Sequence, residues 1–286
     1  RVRPADARAA RGDVVNERVD AIVLRLASSR KYGGLSRATL ERVAADAVRR
    51  FTKDADAEHA ARQRLHQVFG AYRARDGAAL ARRVRELPPS EDRERFEAAC
   101  RDLLRLHAST AERLDDLAAF YPAIFAHTGT PRVVLDLACG HQPFQWPWMG
   151  LPDDTVYLPR DLDGGLVACI DAFFAHLGRP PCARVLDVLV EPADEIADVA
   201  FVLKVLPCLE RQRRGGALDV LRGLRARFVV ASFPLESLGG RDKGMREHYG
   251  ERMALWASEL GVTPQRLEFA RELVFVWESA ATVAGS

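Results

Sequence analysis

Beyond Pro131 the chain passes through six short apolar runs, "RVVLDLA", "TVYLPRDL", "ARVLDVL", "DVAFVLKVL", "RFVVASF" and "RELVFVWE", with helix-length stretches between them. Strands rich in β-branched residues and spaced by helices predict a mostly parallel, doubly wound sheet with helices on both faces. In such a sheet the ligand crevice lies at the carboxyl ends of the strands. The stretches that follow those ends therefore hold the candidate site.

The region before Pro131 has a different texture. From Ser36, a candidate N-cap, Leu40, Val43, Ala44, Ala47, Val48 and Phe51 recur at helical spacing. Further helical patterns cover Leu65, Val68, Phe69 and Tyr72, then "AALARRVREL", then Phe96, Cys100, Leu103 and Leu104. A new helix is expected from "HASTAERLDDLAAFYPAIF", with Ser109 and Glu112 in capping-box spacing. This divides the chain into a helical bundle, residues 1–107, and an α/β domain, residues 108–286. The opening "RVRPADARAARG" lacks apolar periodicity and is expected to be a mobile lead-in.

Charge follows a similar division. Residues 1–110 carry 24 Lys+Arg against 16 Asp+Glu, a balance of +8; of the total 42 and 40 this leaves 18 against 24, or −6. A basic helical module attached to an acidic α/β domain suits a nucleic-acid partner, and solvated helix faces are the competing reading. No apolar run reaches the length of a membrane helix and no signal peptide is legible, so a cytoplasmic protein is expected. The five cysteines form no CxxC pair and the seven histidines no HExxH group, so neither disulfides nor a bound metal is expected.

The first strand runs into "LDLACGH". This turn lacks the GxGxxG that lets a backbone approach a pyrophosphate, and the chain has no GxxxxGK[ST]. A nucleoside ligand without phosphates remains, of which S-adenosylmethionine is the common one for such sheets. Asp136, Ala138, Cys139 and Gly140 would form its turn. Asp161, 23 positions after Ala138 and followed by Leu162, is placed to accept from the ribose hydroxyls. Asp187 and Val188 would meet the adenine. The alternative for all three aspartates is capping of the helices that follow.

"LHASTAERL", "LDLACGHQPF", "VLKVLPCLERQ" and "SFPLESLGGRDKGM" together resemble the aminoglycoside-resistance methyltransferases that modify N7 of the decoding-site guanine of 16S ribosomal RNA. The resemblance spans Lys31 to Glu278. It implies a Rossmann-like class I methyltransferase sheet with an N-terminal helical domain that docks on the small ribosomal subunit, S-adenosylmethionine as donor, and resistance to gentamicin- and kanamycin-type drugs. Ala138 stands where many methyltransferases have glycine, and "HQPF" replaces an "NPF"-like sequence.

Carried over, Arg113 would pair with the methionine carboxylate, against a surface role near a helix cap, and Lys204 would close the pocket near the reactive methyl. Arg241 and Lys243, with Met245 and Arg246 behind them, would hold phosphate or the guanine O6 edge. Arg30, Lys31, Arg37, Arg42, Arg49 and Arg50 would supply phosphate contacts. Phe144, Trp146 and Trp148 could stack on a flipped base, with packing the favoured role. Guanine N7 carries an in-plane lone pair and no proton at neutral pH, so no catalytic acid or base is nominated. A monomer is expected. The competing functions are methylation of another RNA base or a small molecule, and non-catalytic ribosome binding.

Overall fold

The computed structural model describes residues 4–69, 77–235 and 244–279, with side chains from residue 15 onward except those of 68 and 69. Val68, Phe69 and Tyr72 of the second helical pattern, and Arg241 and Lys243, lie outside the described side chains. Among the described residues, no helix is long and apolar enough to cross a membrane.

Three helices open the chain: α1 (Pro4–Ala27), α2 (Arg37–Arg50) and α3 (Asp54–Phe69). The helix α1 runs through the segment expected to be a mobile lead-in and presents Ile22, Val23 and Leu26 to the bundle's core. On α2 the expected face is buried, and Ser36 caps it, its Oγ accepting from Thr39 N at 3.1 Å. Phe51 departs from the pattern. It ends the helix in an extended conformation and is 39% exposed.

Next come α4 (Gly77–Arg85) and α5 (Arg93–Leu104). Their buried residues, Leu80, Val84, Phe96, Cys100, Leu103 and Leu104, do not join the bundle. They pack into the same core as Phe173 and Phe174 on one face of the sheet. The buried core therefore crosses the expected boundary at residue 107, because the apolar faces of these two helices cover the sheet. The expected capping box is also absent. The segment splits into α6 (Ala108–Ala111) and α7 (Leu117–Thr128); Ser109 lies inside the short helix with Oγ on His107 Nδ1, and Glu112 receives Lys204.

The α/β part comprises β1 (Val133–Leu137), a 3₁₀ turn at 142–145, α8 (Trp146–Met149), β2 (Val156–Asp161), α9 (Gly164–His176), β3 (Arg184–Val185), β4 (Ile196–Leu203), α10 (Leu206–Gln212), α11 (Gly216–Gly223), β5 (Arg225–Pro234), α12 (Met245–Leu260), β6 (Gln265–Glu268) and β7 (Glu272–Glu278). The seven strands lie in the order β3-β2-β1-β4-β5-β7-β6. Strands β1 to β5 are parallel and β7 is antiparallel to both neighbours. Order reverses between β2-β1 and β4, so the crevice expected of such a sheet opens above β1. Phe144, Phe201 and Val199 line one face of the sheet, and Leu135, Ala200 and Trp277 the other. Alternation of side chains along buried strands produces this two-sided core.

Candidate cofactor site

A cavity of about 480 Å³ lies at the carboxyl ends of β1, β2 and β4. The turn after β1 forms its floor. Ala138 and Gly140 both hold left-handed backbone, φ 50° and 53°. The turn is tied to β2, with Cys139 N donating to Arg160 O at 3.1 Å and Gly140 N to Asp161 Oδ2 at 3.0 Å. Left-handed backbone is free of strain at Gly140, which has no Cβ, and is strained at Ala138, which has one.

Asp161 also accepts from Asp163 N at 3.0 Å through Oδ1. Burial pushes its carboxyl up to about 6, against the backbone amides that favour the charged form. Asp163, not Asp161, caps α9, accepting from Gly165 N at 2.9 Å and Leu166 N at 3.3 Å.

Asp136 does not line the cavity. It is 1% exposed beneath the turn, receives the Tyr157 hydroxyl, and keeps one oxygen, Oδ1, without a hydrogen-bond partner. Burial pushes this carboxyl up to about 7; the Asp161 charge adds to that, while Tyr157 and Arg113 oppose it.

Asp187, after β3, lines the far end of the cavity beside Val188, and it is engaged from outside the α/β part. Its Oδ2 accepts from Thr39 Oγ1 at 2.8 Å and from Arg42 Nη2 at 2.9 Å, while Oδ1 accepts from Leu189 N at 3.0 Å. Arg42 is thereby corrected as a phosphate contact, because its guanidinium is committed to Asp187 and, at 2.8 Å, to Gln212 Oε1. The link between α1 and α2 also meets the cavity rim: Ser36 N donates to Leu162 O and Gly164 N to Gly34 O, each at 2.8 Å.

At the opposite end, Arg113 is buried, not a surface residue. Its Nε and Nη2 donate to Glu272 at 2.9 and 2.6 Å, and its Nη1 donates to the side-chain oxygens of Gln142 and Gln145 at 3.3 and 3.1 Å. Those bonds fix both amides with Nε2 pointing elsewhere, buried and without a partner. Gln142 and Arg113 both line the cavity.

Lys204 holds left-handed backbone at φ 57° where β4 ends. Its Nζ donates to Ser109 O at 2.9 Å and Glu112 Oε2 at 2.7 Å, and lies 3.3 Å from Glu272 Oε2. The paired cations of Arg113 and Lys204 hold the Glu272 carboxyl below its ordinary value, against its burial.

The aromatics pack. Phe144 is fully buried, edge-to-face with Phe173 and His141. Trp146 meets Phe174 and Tyr157 under Arg179, and Trp148 lies under Arg101. Of the expected phosphate contacts, Arg30 and Arg50 are exposed, with Arg30 at the cavity mouth. Arg37 is paired with Glu41, Arg49 with Asp46, and Lys31 meets His66. Met245 opens α12 half-buried, and Arg246 is paired with Glu268.

Sequence reasoning missed several wall residues. His107 and His141, with ring centroids 5.0 Å apart, both line the cavity, and His141 Nδ1 bonds Leu103 O at 3.0 Å. Burial lowers the His141 pKa, leaving a neutral ring. Their positions beside "STAERL" and after "ACG" were the available signal. Gln212 and Glu272 gave none, since each is placed by contacts more than a hundred residues away.

The strand order, the phosphate-free turn and the acidic residue at the end of β2 define the class I methyltransferase sheet. The chain matches the ribosomal RNA methyltransferase (FmrO) family over residues 28–276, and it belongs to that family. It is similar to the 16S rRNA (guanine(1405)-N(7))-methyltransferase of Micromonospora echinospora, 38% identical over 264 residues, 91% of this chain and 96% of that one. A second such enzyme, from Frankia casuarinae, is also 38% identical over 264 residues, 90% of this chain and 93% of that one. Among solved structures, 16S rRNA methyltransferase RmtF in complex with S-adenosyl-L-homocysteine superposes with a TM-score of 0.79 at 34% identity, covering 92% of this chain and 99% of that one.

Proposed function

We propose that this enzyme methylates N7 of guanine(1405) in 16S ribosomal RNA, using S-adenosylmethionine, and thereby confers aminoglycoside resistance. The observation that carries the reading is the cavity above β1, lined by the Arg113 cation at one end and by the carboxylates of Asp161 and Asp187 towards the other. The residues fit this cofactor. Arg113, which lines the cavity beside Gln142, would meet the methionine carboxylate; Ala138, Cys139 and Gly140 leave room for its chain. Asp161 and Leu162 face the ribose, and Asp187 and Val188 the adenine.

When bound, the cofactor supplies a methyl group on a cationic sulfur. The chain's task is to hold that group in line with a guanine nitrogen that already has a free lone pair, so approach and dehydration matter more than proton transfer. Lys204, fixed by Glu112 and Glu272, shapes the wall nearest this end. The exposed cations Arg30 and Arg50, with Lys31, Arg37 and Arg49, would orient RNA phosphates. Arg241, Lys243, Met245 and Arg246 would meet the RNA near the target base. The substrate we favour is the assembled small subunit, met by a monomer in the cytoplasm.

Tritiated methyl transfer to purified small subunits tests the proposal, with borohydride and aniline cleavage followed by primer extension to locate the product. A stop at guanine(1405) is the expected result. Label at another base, or none with the cofactor bound, would overturn it.

A further inference from the structure

The basic helical bundle does more than present cations to RNA. Thr39 and Arg42, both on α2, place three donors on one oxygen of Asp187, at 2.8 Å from Thr39 Oγ1 and at 2.9 and 3.2 Å from Arg42 Nη2 and Nε. Both partners are withdrawn from solvent, with side-chain exposures of 19% for Arg42 and 3% for Asp187. Among the described residues the other oxygen accepts from Leu189 N alone, at 3.0 Å, which leaves it a lone pair, and Asp187 lines the cavity. A carboxylate loaded on one oxygen is fixed in rotation and presents the other in one direction.

The joint has a second, separate fastening. Arg64, on α3, donates to the carbonyls of Arg211 and Gln212 at 2.7 and 2.8 Å and so satisfies the carboxyl end of α10 without touching Asp187. Arg42 also reaches α10, through Gln212 Oε1 at 2.8 Å, whereas Arg64 fastens the bundle with no contact to Asp187. Arg64 therefore serves as the control for loss of attachment alone.

We infer that Thr39 and Arg42 are positioning residues for adenine recognition, acting through Asp187, so that the cofactor site is completed by the helical bundle. This inference rests on the reading that Asp187 accepts from the adenine amino group. A buried acceptor aimed at an amino group rejects a ring that lacks it, because the carboxylate then loses its donor and faces a carbonyl oxygen. Orientation by Arg42 thus becomes a property of ligand choice, which mere support of the fold would not alter.

The experiment is calorimetric titration of the whole chain with S-adenosylhomocysteine and with its inosine counterpart, S-inosylhomocysteine. Wild type, Arg42→Ala, Arg42→Lys and Arg64→Ala are compared, with thermal melts confirming that each is folded. Wild type is expected to prefer the adenine ligand by at least about tenfold. Arg42→Ala should lose most of that preference, Arg42→Lys should retain part of it, and Arg64→Ala should keep it. Equal binding of both ligands by wild type would remove the adenine role of Asp187 and the inference with it. A preference that survives in Arg42→Ala and Arg42→Lys, or falls equally in Arg64→Ala, would overturn the positioning role alone.

Discussion

Arg113 and Glu272 are joined by two parallel hydrogen bonds, 2.9 Å from Nε and 2.6 Å from Nη2, with both side chains at 2% exposure. Residues 159 positions apart thus lock the turn after α6 to the start of β7. Replacing Arg113 with Ala would leave the Glu272 carboxylate buried with Lys204 as its remaining cation. Removing one partner of a buried pair costs about 3–5 kcal/mol. Urea unfolding of Arg113→Ala should show a loss in that range, and a loss under about 1 kcal/mol would mean that water or relaxation replaces the guanidinium.

The two carboxyls under the turn predict how stability responds to pH. Burial pushes Asp136 up to about 7 and Asp161 up to about 6, both from an ordinary value of 3.8. Between the ordinary and raised values the folded state holds protons that the unfolded chain has released. Their stabilisation is complete below about pH 4 and is lost as pH rises through 6 and 7. Asp136→Asn cannot release a proton, and Tyr157 can still donate to its amide oxygen. A plot of Tm against pH should therefore fall less steeply for Asp136→Asn between pH 4 and 7 than for wild type, whatever its absolute Tm. Parallel curves would refute the assignment.

Gly140 tests the turn itself. Its φ of 53° lies where a side chain is strained, while a Cβ would meet the His107 ring at an unremarkable 3.5 Å. The strain, not a clash, should dominate. Gly140→Ala is expected to lose about 1–2 kcal/mol of stability in denaturant titration. A loss several times larger would show that the ring of His107 cannot give way.

What the sequence made legible was local. Apolar runs marked the strands; "ACG" marked the turn; and "RDLD" placed Asp161 at a strand end. Ser36 announced the start of α2 because a cap acts within three residues. What stayed hidden depended on distance along the chain. Nothing near Arg42 shows that its guanidinium meets Asp187, 145 positions away. The same holds for Asp136, whose strand position resembles that of a ligand residue although the hydroxyl of Tyr157 draws it below the turn. The helices α4 and α5 read as bundle members because amphipathic periodicity reports that a face is buried but not against what. Even β3 was readable only as a trend, since two residues of it pair with β2.

The phosphate contacts predict a graded outcome on the bundle surface. Arg30 and Arg50 are exposed, whereas Arg37 and Arg49 are neighbours of Glu41 and Asp46 and would have to exchange those partners for phosphate. Each phosphate neutralised contributes about 0.7–0.9 to the slope of log affinity against log salt, through release of condensed counterions. Arg30→Glu with Arg50→Glu should weaken small-subunit binding and lower that slope by roughly 1–2. Arg37→Glu with Arg49→Glu should do less, because the wild-type pairs already neutralise much of the charge. Filter binding across a salt series separates the two pairs. If both double variants kept the wild-type slope, these arginines would be solvated helix faces, and the docking cations would have to be sought elsewhere on the chain.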